Sequence, residues 1–185
     1  PPPPVEKPFD SSARRVTLPK PGQWAGIKRI SVEEAIGRRE SHRKYSTAPV
    51  TLDELAFLLW STQGIRRKLA SGIALRTVPS AGARHAFETY LGVLNVTGLE
   101  PGLHRYLPVE HELLFVRAVK NLGAALAAAA LGQEFAGTSA VTFVWTTLPA
   151  RMEWRYGEAS YKVIAVDAGH MGQNLARGRI KCGKR

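Results

Sequence analysis

The order of local signals along the 185 residues predicts an α+β fold. Three observations carry that reading. Two helix-start signatures, Ser31 with Glu34 and Thr51 with Glu54, open the first half. Runs rich in β-branched and aromatic residues follow, from FETYLGVLNV to HELLFVRAV. An alanine-rich segment, one more apolar run and a long stretch with helical spacing close the chain.

Taken in order, residues 1–30 hold seven of the twelve prolines. Such a segment forms neither a regular helix nor a central strand. It reads as an extended arm, disordered or lying along a partner surface, that adds little to the core. The domain proper is expected over 31–175. In TLDELAFLLWSTQG, Leu52, Leu55, Ala56 and Leu59 share a helix face, and Gly64 is the stop. A Gly-, Ser- and Pro-containing loop follows, SGIALRTVPSAGARH. FETYLGVLNV is a strand; GLHRYLP and HELLFVRAV form a hairpin, with Pro108 and Glu110 in its turn. NLGAALAAAALGQEF is a helix. AVTFVWTTLP is nearly continuously apolar, which predicts a strand buried on both faces. WRYGEASYKVIAVDAGHMGQNL is helical, with Tyr161, Ile164, Ala165 and Ala168 along one face. Residues 176–185 carry five cations and no acid, so a disordered, non-native basic tail is expected there.

Composition narrows the function. With one cysteine, Cys182, neither an intramolecular disulfide nor a cysteine-based zinc site can form, which suits a reducing compartment. No apolar run approaches the roughly 20 residues that span a bilayer, so no membrane association is expected. A cytoplasmic protein is the expectation; the chain starts at Pro1, which leaves an export signal upstream open. The net charge is +11, of which five sit in the last ten residues. The remainder is scattered, as on a solvated surface, and no nucleic-acid partner is expected.

Three clusters could carry chemistry. In RRESHRKY, Arg39, Ser41 and Arg43 alternate beside Arg38. Guanidinium forks and a hydroxyl on one side of an extended segment can grip a phosphate. The alternative is a basic, solvated helix end, where cations favour the negative pole. In TVPSAGARH, the small residues Ser80, Ala81, Gly82 and Ala83 would let the backbone approach a flat ligand, or simply form a loop. In VDAGHMGQN, Asp167, His170, Gln173 and Asn174 share part of a helix face. They are an acid–base pair, a metal site or a polar patch in a helical interface. No second His or Cys has ligand spacing, so no metal is expected.

Five segments in order, RRESHRKY, PVTLDELAFLLWSTQG, RTVPSAGARH, PGLHRY and VDAGHMGQN, together resemble the SagB-type dehydrogenases of the nitroreductase superfamily. The resemblance covers roughly residues 19–175. It implies a nitroreductase-like fold, with a central, mostly antiparallel sheet flanked by helices. It also implies a homodimer holding FMN between subunits, with hydride transfer through the flavin N5 and NAD(P)H as a candidate co-substrate. The substrate is then a small molecule or a peptide. Carried over residue by residue, Arg39, Ser41 and Arg43 grip the FMN phosphate and ribityl chain. Pro79, Ser80, Ala81 and Gly82 lie against the isoalloxazine ring, and Arg84 assists. The 167–174 helix belongs to the dimer core, and the resemblance singles out no catalytic residue. The family pattern continues past GHMGQNL where this chain turns to ARGRIKCGKR, so the C-terminal part of the fold is expected to be missing. The alternative from another class is a non-catalytic remnant or partner subunit that binds no flavin.

Overall fold

The computed structural model describes residues 3–69 and 73–182. Five strands form one antiparallel sheet in the order β1-β6-β5-β4-β7. These are β1 (Arg15–Thr17), β4 (Phe87–Val93), β5 (Gly102–Leu107), β6 (Glu112–Arg117) and β7 (Val141–Thr147). A separate hairpin pairs β2 (Ile65–Lys68) with β3 (Ala74–Arg76). The helices are α1 (Val32–Gly37), α2 (Leu52–Gln63), α3 (Leu122–Ala129), α4 (Phe135–Thr138), α5 (Ala150–Tyr156) and α6 (Ser160–Lys181). The α+β architecture and central antiparallel sheet agree with the expected fold.

The helix starts follow their local chemistry. The Ser31 hydroxyl accepts from the Glu34 amide, and Thr51 with Glu54 completes a reciprocal capping box. Two otherwise unpaired amides are satisfied at the start of α2. The face containing Leu55, Ala56 and Leu59 packs with Leu91, Val93, Tyr106 and Leu113 of the sheet. Its opposite side is buried too: Phe57 and Leu58 cluster with Cys182. A helix buried nearly all round is the centre of the molecule, not a surface helix. Its far side is covered by α6, where Asn174 donates to the Ser61 carbonyl at 2.8 Å.

Four expectations are corrected. The N-terminal arm is part of the fold. Arg15–Thr17 pairs with β6, Leu18 is buried in the sheet core, and Trp24 meets Phe57 and Trp60 at ring centroids of 5.2 Å. Prolines exclude a helix but leave the apolar side chains between them free to dock; Pro1 and Pro2 lie outside the described residues. The 65–76 hairpin was not foreseen, because IRRK is polar and exposed and shows no alternation.

The strand β7 is not buried on both faces. None of its seven residues is fully buried, because it lies at the edge of the sheet and pairs only with β4 among the described strands. The expected face of the last helix is only partly buried: Ile164 is buried and Ala168 packs beside it, but Ala165 is exposed and Tyr161 is 69% exposed, and the buried stripe runs through Ser160, Ile164, Asp167, Met171 and Gly178. It also runs on through the basic segment to Lys181, with Ile180 and Cys182 buried. Gly178 lets it approach α2 so closely that a Cβ there would sit 3.0 Å from Leu58 Cδ2. Cation density did not prevent this: apolar positions keep helical spacing, Lys181 lies 5.4 Å from the Phe57 ring and Arg179 reaches the Glu40 carbonyl, so the long side chains are themselves partly packed. The part of the expected tail over 183–185 lies outside the described residues.

Candidate functional site

Helix α1 ends at Gly37, and residues 39–46 follow without helix or strand. Ionic contacts within this segment are local: Arg38 pairs with Glu34 at 2.6 Å, and His42 with Glu40 at 3.2 Å. Arg39 and Arg43 form no ion pair with an acid among the described residues, and Arg43 instead stands 5.9 Å from the Phe135 ring. Their side chains and that of Ser41 are exposed on the rim of a cleft of about 540 Å³. That volume lies within the range of sites that hold a small ligand.

Apart from Glu54 and Thr142, the floor of the cleft is apolar. Leu58 comes from α2, Val141 and Phe143 from β7, and Leu175 and Ala176 from α6. A third arginine reaches the same cleft: Arg179 of α6 donates to the Glu40 carbonyl at 3.5 Å. Thus the structure brings Arg39, Ser41 and Arg43 together and adds Arg179 to them. Three guanidiniums and a hydroxyl lining one cleft suit an anion of phosphate geometry. Sequence reasoning missed Arg179 because it lay in the supposed tail. The signal was present: Gly172, Leu175, Ala176 and Arg179 sit at i, i+3, i+4 and i+7.

The second set of candidates is placed elsewhere. Pro79, Ser80, Ala81, Gly82 and Arg84 do not line that cleft. Residues Ala81–Ala83 form a 3-10 turn that packs with Tyr156 and α6. Gly82 takes φ 58°, and a Cβ there would meet the Tyr156 hydroxyl at 2.7 Å. Only glycine meets both demands cheaply. The Ser80 hydroxyl accepts from the His85 amide at 2.9 Å, and Arg84 Nε donates to the Gly82 carbonyl at 2.8 Å. The Arg84 guanidinium lies over Trp154 at 5.2 Å.

Asp167 supports this loop from α6. Burial raises its pKa, while the Ser80 hydroxyl, the Ala81 amide and His170 pull it back down. Of the 167–174 group, Asp167 meets the loop and Asn174 ties α6 to α2. Next to Asn174 in this helix interface, Met171 sulfur accepts from Gln63 at 2.6 Å.

Comparison with known proteins agrees with the fold. Residues 36–176 match the model of the nitroreductase family. A protein of Methanocaldococcus jannaschii named as a nitroreductase is 31% identical over 153 residues, covering 83% of this chain and 75% of that protein. The trifolitoxin-processing protein TfxB of Rhizobium leguminosarum bv. trifolii is 34% identical over 110 residues, covering 57% of this chain and 30% of that protein. A crystal structure from Ralstonia eutropha JMP134, described as a nitroreductase, superposes with a TM-score of 0.72 at 28% identity. It matches over 99% of this chain and 81% of its own.

Proposed function

The chain belongs to the nitroreductase family, and from that premise we propose that it is an FMN-dependent oxidoreductase completed by a second copy of itself. Family membership points to an oxidoreductase. The cofactor reading rests on the cationic rim of the cleft, where Arg39, Ser41, Arg43 and Arg179 present donors and Arg39 and Arg43 make no ion pair among the described residues, although Glu40 and Glu54 also line the cleft. These residues would hold the FMN phosphate, and the apolar floor below them suits an uncharged part of the ligand. FMN would supply hydride transfer through its N5, with NAD(P)H as the candidate co-substrate.

The observation that carries the two-copy reading is the separation of the two candidate half-sites. Asp167, which supports the Ser80–Gly82 loop, and Arg179, which lines the cleft, are twelve residues apart on one helix. At 3.6 residues per turn they lie about 18 Å apart along the axis and point about 120° apart around it. A ring wall for the cleft must therefore come from another chain. Val32 (71% exposed) and Ile36 on α1, with Tyr161 and Val166 on α6, leave apolar surface for such a partner. Similarity to TfxB and the five ordered segments support placement in the SagB-type branch, with a peptide as substrate. The same separation favours the second reading, a partner subunit that binds no flavin, if no second copy docks.

The test is FMN retention. Wild-type protein should copurify as a yellow dimer, and Arg43→Ala should weaken FMN by about 1.5–3 kcal/mol, a ten- to hundred-fold change. Gly82→Val should also abolish retention, by displacing the ring wall. Mixed dimers of the two variants should recover one FMN per dimer, since one intact cleft then faces one intact loop. A colourless monomer would establish the second reading, and mixed dimers without flavin would end the two-copy assignment.

A further inference from the structure

The N-terminal segment is held in two different ways. Residues 15–17 join the sheet through a strand ladder, but residues 5–9 are held through their main chain by buried side chains. Arg76 Nη2 of β3 donates to the Val5 carbonyl at 2.8 Å. Arg105 Nη2 of β5 donates to the Lys7 carbonyl at 2.9 Å, and Arg105 Nη1 reaches the Pro8 carbonyl at 3.4 Å. The Lys7 amide donates to Glu88 Oε1 of β4 at 3.0 Å. From the 108–111 turn, the Val109 amide donates to the Glu6 carboxyl at 3.1 Å. Phe9 then lies under Arg15 and Arg105, at 5.6 and 5.7 Å.

Arg76, Glu88 and Arg105 are each buried to 96% or more beneath this segment. The charge beneath it is unbalanced. Glu88 pairs with Arg151 at 2.6 Å, and among the described residues neither Arg76 nor Arg105 forms an ion pair with a carboxylate. Burial, then Arg151, lowers Arg76 to about 10, and burial with Arg76 beside it pushes His85 down to about 3. Both Arg76 Nε and Arg105 Nε are buried without a hydrogen-bond partner among the described residues. A groove floored by such donors calls for a ligand rich in carbonyl oxygens. A polypeptide main chain is that ligand, read through its carbonyls and one amide, with the Glu6 carboxyl and the Phe9 ring adding side-chain contacts.

We propose that the groove formed by Arg76, Glu88, Arg105 and the 108–111 turn is a binding site for a peptide main chain, and that residues 5–9 of this chain are its exchangeable ligand. The preferred occupant carries a carboxyl at its second position, a free amide at its third and an aromatic ring at its fifth, as Glu6, Lys7 and Phe9 do. The proposal concerns a site separate from the cleft and stands without the flavin reading.

Two measurements test it. In the unaltered chain, amide exchange of Lys7 and Val109 should run at least about ten-fold faster than that of Leu91 and Tyr106, which marks local release of the segment. Exchange of all four at one rate would make residues 5–9 an inseparable part of the core and overturn the proposal. In the full chain with Lys7→Pro, which removes the amide that Glu88 accepts, a fluorescent peptide of the sequence of residues 3–10 should bind. It should bind at least about ten-fold more tightly than to wild type, where the tethered segment competes at millimolar effective concentration. Adding Arg105→Gln should abolish binding. A Lys7→Pro chain with native circular dichroism that binds no peptide, or binding indifferent to Arg105→Gln, would also overturn it.

Discussion

Replacing Glu88 with Gln tests the buried charge network at its centre. The Glu88 and Arg151 side chains are 3% exposed and 2.6 Å apart. The same carboxylate oxygen also accepts from the Lys7 amide, and Arg151 Nη1 reaches the His85 carbonyl at 3.3 Å. At an effective dielectric constant of about 20, two unit charges roughly 3 Å apart attract by about 5 kcal/mol. Desolvation of both partners offsets most of that in the intact pair, but the single substitution leaves Arg151 buried and unpaired beside Arg76. A loss of about 3–5 kcal/mol is expected. Urea unfolding followed by tryptophan fluorescence measures it, provided the slope is unchanged so that the midpoint reports stability. The double variant Glu88→Leu with Arg151→Met should recover most of the loss, because it removes both charges and fills similar volume. A single-variant loss under about 1 kcal/mol, or a double variant as unstable as the single, would refute the reasoning.

Two further outcomes follow from the packing and the charges. Gly178→Val should cost about 1–3 kcal/mol, since Leu58 and Ser61 stand 3.0 and 3.2 Å from the new Cβ; an unchanged thermal midpoint would mean that the end of α6 is not packed on α2. Glu6 is raised from 4.5 to about 7 by burial first, with Glu110 and Glu88 adding to it and the Val109 amide opposing. Arg76 and Tyr106 also face it electrostatically. A carboxyl raised in the folded state contributes stability that is full below about 4.5 and is lost as pH rises through 7. Protection of the Lys7 amide, corrected for intrinsic exchange, should therefore fall between pH 5 and 7 in wild type and stay level in Glu6→Gln; parallel profiles would rule out Glu6 as the titrating group.

The parts of the fold legible in the sequence are those in which a local rule and the tertiary structure agree. The Thr51–Glu54 box, the Gly64 stop and the 102–117 hairpin are set by backbone chemistry within a few residues, and each falls where the pattern places it. The misjudged parts are decided by neighbours far away in sequence. Apolar continuity in 141–147 does not tell a central strand from an edge strand, because that depends on which strands lie beside it. Nor does proline density show that Leu18 finds a pocket between α2 and the sheet. The buried charges are the hardest case. Arg76, Glu88, Arg105 and Arg151 are scattered over 76 positions, and only the fold brings them together.

The basic segment shows how composition and periodicity can disagree, and which one prevails. Five cations in ten residues argue for a solvated tail, yet the described part, 176–182, continues the helix. Within it Ile180 and Cys182 are buried, and Cys182 joins the cluster of Phe57 and Leu58 on α2 that Trp24, Ile27 and Phe143 also cover. Burying an Ile-sized side chain is worth about 1.5–3 kcal/mol, whereas repulsion between exposed like charges four apart is worth only tenths. Packing therefore outweighs repulsion. The same geometry delivers Arg179 to the cleft, because a helix that buries positions 178, 180 and 182 presents 179 at the boundary between the α2 contact and the 39–43 segment. The cation that looked like part of a solvated tail is thus placed by the packing of its own neighbours.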